Sequence, residues 1–356
     1  MKYINSFFGG ILKCFKSRAI LLLIFTLSLS SCQGQSSNKA KDKLNGISLV
    51  ASRDLISLDH IQPILEVNAN AVAVMPFAFM DSLSSPDLKF NNERQWQGER
   101  LDGVRKTTQM LHKKGLKVMV KPQIWIRRGE FTGNIKMISE EDWKIFEANY
   151  KDYILLYAKM AAEENVAILC LGTELYEFAN ERSVFWKELI TEIRSFYNGE
   201  LTYAENWDKV DKIKFWRDLD LIGVDAYFPL HQDRSPSLEQ LRIAWKPHKE
   251  QLKNLSNKYS KQILFTEYGY RNTDYAVKEP WDSSREITSV NDQLQSDALL
   301  ALYQEFWKED WFAGGFLWKW FHDIDKSGRM ENNQFTPQNK PALETVRTFY
   351  GEILRN

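Results

Sequence analysis

The feature that most constrains the fold of this chain is an alternation, read eight times, between short apolar runs and longer amphipathic ones. The short runs are residues 46–51, 71–77, 116–120, 166–171, 201–204, 219–224, 262–266 and 315–318. Several are apolar throughout, as expected of strands buried on both faces. Strands that alternate with helical patterns give a parallel sheet with crossover helices. Eight such units predict a closed (β/α)8 TIM barrel, an α/β fold, in a single domain over residues 45–356. That length suits the usual barrel of roughly 250 residues plus insertions. The rival is an open doubly wound sheet, which usually carries a Gly-rich phosphate turn after its first strand. Leu49-Val50-Ala51-Ser52-Arg53 has no glycine. No internal repeat or Pro/Gly-rich linker divides the chain.

The helical patterns are equally marked. Ser139 with Asp142 has capping-box spacing. Trp143, Phe146, Tyr150, Tyr153, Tyr157 and Met160 then recur at three and four residues, one apolar face of a long helix. This aromatic row reads as core rather than as a ligand-binding stripe. Ser237 with Gln240 opens another helix through Leu241, Trp245, Leu252, Leu255 and Tyr259, with a kink expected at Pro247. Leu101, Val104, Thr108 and Leu111 form a third, stopped by Gly115. Leu294, Ala298, Leu302 and Phe306 form a fourth, and residues 343–354 close the chain.

In such barrels the working groups lie at the carboxyl ends of the strands. After the third run comes Lys121-Pro122-Gln123-Ile124-Trp125, and after the fourth Gly172-Thr173-Glu174-Leu175. After the fifth comes Glu205-Asn206-Trp207-Asp208, and after the sixth Asp225-Ala226-Tyr227-Phe228. The seventh leads to Glu267-Tyr268-Gly269, and the eighth ends Leu317-Trp318-Lys319-Trp320. The five His residues are scattered, so no metal site or cofactor is expected. There is no P-loop and no nucleophile elbow. Hydrolysis of a glycosidic bond needs only two carboxyl groups, one held neutral and one ionised. Glu174 and Glu267 are the best pair, because each follows a strongly apolar strand where a charge is costly unless used. Glu205 and Asp225 read as supporting or structural, since alternation could turn either toward the barrel mouth or the helix layer. Glu177 reads as a solvated charge at a helix start. Lys121, Gln123, Asn206 and Trp207 are candidate sugar contacts, against a rim salt bridge, loop hydrogen bonds and edge packing. Two long segments, 268–289 with Arg271, Asn272 and Trp281, and 321–338 with His322, Asp323, Asp325 and Arg329, are expected to shape a cleft.

The amino-terminal residues carry a different signal. Lys2, Lys13, Lys16 and Arg18 precede an apolar stretch at 19–29 that is too short to span a bilayer. Leu29-Ser30-Ser31-Cys32 resembles a bacterial lipobox, which implies a signal peptide over residues 1–31 and lipidation of Cys32. A plain secretory signal is the alternative. Residues 32–44 then read as the acylated Cys and a polar tether. The expected location is the cell envelope, lipid-anchored at an outer membrane. Cys14 leaves with the signal, so Cys170, inside an apolar run, remains as a buried structural thiol and no internal disulfide is expected. The chain has 47 basic and 47 acidic residues. Losing the leader removes four bases and no acids, so the mature chain is mildly acidic. No basic face for nucleic acid is present, and a monomer is expected.

At these strand ends the chain resembles clan A of the glycoside hydrolases. Gly172-Thr173-Glu174-Leu175, Gly223-Val224-Asp225-Ala226-Tyr227-Phe228-Pro229-Leu230, Phe265-Thr266-Glu267-Tyr268-Gly269 and Gly315-Phe316-Leu317-Trp318-Lys319-Trp320 are together similar to glycoside hydrolase family 113. The resemblance implies Glu174 as acid/base, Glu267 as nucleophile, Tyr227 as the group holding Glu267, and Trp318 as the floor under the sugar. It implies retaining hydrolysis of β-1,4-mannan or mannooligosaccharides, with carboxyl groups about 5–5.5 Å apart rather than the 6.5–9.5 Å of inversion. Many clan members place Asn before the acid/base, bonding the sugar 2-hydroxyl. Here it is Thr173, which leaves that hydroxyl's partner unassigned. The alternatives are hydrolysis of another β-glycan, a non-catalytic lipoprotein that captures glycan, and a structural surface lipoprotein.

Overall fold

The computed structural model describes residues 43–284, 289–328 and 332–353. The expected signal peptide, Cys14, Cys32, most of the expected tether and Arg329 lie outside them. Eight parallel strands close a barrel: β1 (Leu44–Leu49), β2 (Ala71–Val74), β3 (Lys117–Val120), β4 (Ile168–Thr173), β5 (Glu200–Asn206), β6 (Leu221–Asp225), β7 (Gln262–Tyr268) and β8 (Phe312–Trp320). Each pairs with its neighbours in chain order and β8 returns to β1, so the predicted (β/α)8 barrel is the observed fold.

Alternation along the strands sorts the apolar residues into two sets. Leu44, Ala71, Ala73, Met119, Ile168, Cys170, Ala204, Leu221, Leu264 and Phe316 form one buried cluster. Their neighbours, such as Val72, Val118, Leu169, Ile222, Ile263 and Phe265, belong to the larger cluster packed against the helices. The first set fills the barrel and the second faces the helix layer. Continued upward, the inward register reaches Lys121, Asp225 and Thr266, whereas Glu205 continues the outward register of Leu201 and Tyr203.

The helices follow their sequence signals. Ser139 Oγ accepts from the Asp142 amide at the start of Glu140–Glu163, and Trp143, Phe146, Tyr150, Tyr153, Tyr157 and Met160 are all buried. Ser237 and Gln240 form a capping box on Leu238–Tyr259. The kink expected at Pro247 does not divide that element; one helix runs through the proline. Between β5 and β6 the chain makes only two single-turn 3₁₀ segments, Val210–Lys212 and Trp216–Asp218.

One departure matters for the site. The predicted strand at 71–77 breaks at Met75-Pro76, where β2 ends, and the chain re-enters as Phe77–Met80. That segment pairs in parallel with Gln123–Ile126 and antiparallel with Lys89–Phe90, forming a small sheet beyond β2 and β3. Gln123, expected in a loop, is therefore held on a strand. Tyr153 of the long helix pins this arrangement, its hydroxyl reaching the carbonyls of both Pro76 and Gln123 at 3.0 Å.

Barrel closure is fixed by buried polar contacts. Trp307 Nε1 donates to Asn45 Oδ1 (2.8 Å), and the Tyr350 hydroxyl donates to the Gly46 carbonyl (2.9 Å). Gly314 lies at φ +112 with its Cα side against the Leu44 backbone, where a Cβ would sit 2.3 Å from Leu44 O. Only glycine fits that seam.

Candidate active site

The two glutamates reach the barrel mouth by different local devices. β7 pairs regularly with β6 up to Phe265↔Val224, then shifts so that Glu267 lies opposite Asp225. Strict alternation after Leu264 and Thr266 would turn Glu267 outward. The extra residue in the ladder re-aims it into the mouth, as bulges commonly do beside active sites. Glu174 follows a second register shift, between β4 and β5 at Cys170/Thr173, and adopts φ +53. A left-handed backbone on a non-glycine residue costs about 1–3 kcal/mol and persists only where its surroundings enforce it.

Around Glu267 the donors converge. Lys121 Nζ and Gln123 Nε2 (3.2 Å) both donate to Oε1, and the Tyr227 hydroxyl donates to Oε2 (2.9 Å). Lys121 also reaches both oxygens of Asp225 at 3.1 Å, and Thr266 Oγ1 donates to Asp225 Oδ1 (2.7 Å). Lys121 and Asp225 are fully buried and Glu267 nearly so. Burial pulls the Lys121 pKa down, but the charges of Asp225 and Glu267 more than reverse it, so the ammonium is retained. Burial pushes the Asp225 carboxyl up to about 7, against the opposing pull of Lys121.

Glu174 lies in a contrasting setting. It stands deep in the mouth, and burial raises its pKa well above the carboxylate range, with the negative charges of Asp225 and Glu267 pushing the same way. It still opens onto a cavity of about 120 Å³ lined by Gln123, Ile124, Thr132, Thr173, Glu174, Asp225, Glu267 and Trp318. One carboxyl with its pKa raised and one surrounded by donors, on a shared cavity, suit acid-assisted glycoside cleavage.

The family model of Glycoside Hydrolase Family 113 matches residues 54–340, most of the chain. The chain belongs to that family. It is a glycoside hydrolase. No curated protein matches it significantly. Among solved structures it is similar to the GH113 β-mannanase AaManA from Alicyclobacillus acidocaldarius, with a TM-score of 0.75 and 22% identity over 88% of this chain and 98% of that one. A GH113 β-1,4-mannanase gives a TM-score of 0.72 at 23% identity, covering 87% and 99%. A β-glucuronidase of Ruminococcus gnavus gives 0.58 at 11%, covering 87% of this chain and 50% of that one. These likenesses establish the shared barrel.

Other sequence-selected residues of this hydrolase take varied places. Trp318 lines the cavity, with Lys319 Nζ 5.6 Å from the centre of its ring. Lys121 is not a rim residue open to sugar; it lies beneath the site with its ammonium bound by carboxylates. Asn206 caps its own turn, its Oδ1 accepting from the Trp207 amide. Trp207 stacks on Trp281 at 5.9 Å, and Trp281 is half exposed. Neither Asn206 nor Trp207 borders the cavity. Thr173 borders it, with its hydroxyl on the Pro122 carbonyl (3.3 Å). Glu205 is buried on the helix side, where it accepts from the Tyr203 hydroxyl (3.1 Å) and the Asn206 amide (2.9 Å). Thr132, which no sequence signal singled out, borders the cavity and donates to the Glu174 carbonyl (3.1 Å). Lys340 ties the two long segments after β7 and β8, donating to Asn272 Oδ1 (2.9 Å) and the Gln334 carbonyl (2.6 Å); among the described residues, neither segment borders this cavity.

These carboxyls make stability depend on pH. Burial raises the Glu205 pKa from 4.5 to about 8, against the pull of its two donors. The folded state therefore holds a proton that the unfolded state releases near the ordinary value, so the stabilisation is present at low pH and lost as pH rises through about 8. Thermal denaturation should show Tm falling between about pH 5 and 8, and Glu205→Gln should flatten that fall. An unchanged slope in the variant would show that Glu205 is not the titrating group.

Proposed function

We propose that this protein is a retaining glycosidase that cleaves β-1,4-linked mannan or mannooligosaccharides, with Glu267 as nucleophile and Glu174 as acid/base. The observation that carries the roles is the opposed environment of the two carboxyls. Glu267 accepts from Lys121, Gln123 and Tyr227, which fix both of its oxygens in the mouth. Glu174 is half-buried beside Asp225 and Glu267, and desolvation with their negative charges raises its pKa and so favours the protonated form.

In the first step a Glu267 oxygen bonds to the anomeric carbon, the bond from that carbon to the leaving oxygen breaks, and Glu174 transfers its proton to that oxygen. In the second, Glu174 takes a proton from water, the water oxygen bonds to the anomeric carbon, and the Glu267–sugar bond breaks. Trp318 supplies an apolar face for the sugar ring against the cavity wall. The mannose preference rests on family membership and on the two similar structures described as mannanases. A second reading, another β-glycan, is kept because the Thr173 hydroxyl hydrogen serves the Pro122 carbonyl, leaving that side chain only as an acceptor toward the sugar 2-hydroxyl.

The test is an assay of the chain from Lys43 onward against mannan, glucan, galactan and xylan oligosaccharides. Mannooligosaccharides should be cut, Glu174→Gln should lose about 10²–10⁴-fold, and Glu267→Ala should fall to background with the fold intact by circular dichroism. Cleavage of a different glycan would move the substrate class. No cleavage of any would favour glycan capture, and wild-type turnover by either variant would remove its assigned role.

We also propose that Cys32 is acylated and tethers the barrel to the cell envelope, on the strength of Leu29-Ser30-Ser31-Cys32 after an apolar stretch. Mass spectrometry of the membrane-extracted protein should find a lipid-modified amino-terminal Cys32, and Cys32→Ser should release the protein. An unmodified Cys32 in a released mature chain would refute the anchor.

A further inference from the structure

Glu174 stands on a backbone that ordinary residues avoid, and three hydrogen bonds from three directions close on it. The Glu174 amide donates to the Ala204 carbonyl of β5 at 2.8 Å. The next amide, of Leu175, donates to the Tyr203 hydroxyl at 2.8 Å. The Glu174 carbonyl accepts from Thr132 Oγ1 at 3.1 Å. Tyr203 and Thr132 come from different parts of the chain, one from the outward face of β5 and one from the segment before the long helix. Tyr203 is fully buried among Trp186, Phe215 and Trp216. Its hydroxyl hydrogen is committed to Glu205 Oε2 (3.1 Å), which turns an oxygen lone pair toward the Leu175 amide. A side chain carried on a strained backbone is aimed only as well as that backbone is held.

We propose that Tyr203, oriented by Glu205, and Thr132 are positioning residues that clamp the left-handed turn at Glu174 and so aim its carboxyl at the departing oxygen. Neither need touch substrate at the reacting atoms. Their contribution is confined to proton delivery, because Glu267 is held separately by Lys121, Gln123 and Tyr227. The proposal rests on Glu174 being the acid.

That confinement supplies the test. A β-mannobioside with a dinitrophenol leaving group departs without protonation, whereas a mannooligosaccharide requires it, and kcat/KM reports the step in which the leaving group departs. Tyr203→Phe and Thr132→Val should each lower kcat/KM on mannooligosaccharide, by up to about 10²-fold for a misplaced group. Tyr203→Phe should leave kcat/KM on the dinitrophenyl substrate within about twofold of wild type, and Thr132→Val, whose side chain borders the cavity, should lose clearly less on that substrate than on mannooligosaccharide. Glu205→Gln, which keeps an acceptor for the Tyr203 hydroxyl, should lie closer to wild type than Tyr203→Phe. An equal loss on both substrates would mean a general structural role and overturn the proposal, as would no loss on either. Thr132→Val carries the test by itself if Tyr203→Phe does not fold. Glu174→Gln is the control. If it shows the leaving-group split and the clamp variants do not, the clamp fails alone; if it loses equally on both substrates, the role of Glu174 fails.

Discussion

The site depends on one buried cation. Lys121 leaves β3 in the inward register and places its ammonium between Asp225 at the end of β6 and Glu267 at the end of β7. Two acidic side chains this close in a barrel mouth repel when charged. The ammonium permits both to approach. Removing one partner from such a buried cluster leaves uncompensated charge at a cost of about 3–5 kcal/mol. The cluster is therefore a constraint on which strands can neighbour which, as well as an electrostatic setting for Glu267.

The proposed division of labour between the two glutamates is consistent with that constraint. Lys121, Gln123 and Tyr227 all donate to Glu267, whereas Glu174 has desolvation and the negative charges of Asp225 and Glu267 around it. The chemistry asks for this asymmetry. It also explains why the backbone is irregular at both glutamates. The bulge in β7 brings Thr266 and Glu267 into the mouth together, one to serve Asp225 and one to face the cavity. The left-handed turn at Glu174 ends β4 and starts the chain toward the helix Tyr176–Glu181.

Much of this was legible in the sequence, for identifiable reasons. The eight apolar runs mark the strands because a parallel strand is buried on both faces. The aromatic row from Trp143 to Met160 marks a helix because its spacing is 3.6 residues, and burial settles it as core. Glu174 and Glu267 stand out because they end such runs. What was not legible depended on contacts between distant segments. Lys121 reads as a rim residue until its partners, 104 and 146 residues away, are placed. Glu205 and Asp225 look alike in sequence, yet the barrel register turns one to the helix layer and the other to the site. Thr132 carries no local signal, since its role is defined by a carbonyl 42 residues on. The split of the second predicted strand at Pro76 hid the small sheet that holds Gln123.

The central claim is that Glu267, and not the adjacent Asp225, attacks the sugar. A mannosyl fluoride bearing fluorine at C2 tests it directly, because fluoride leaves without an acid while the second step stalls. Mass spectrometry of the digested, inactivated protein should find the fluorosugar on Glu267. A label on Asp225 or Glu205 would contradict the account, as would turnover that inverts the anomeric carbon with no label formed.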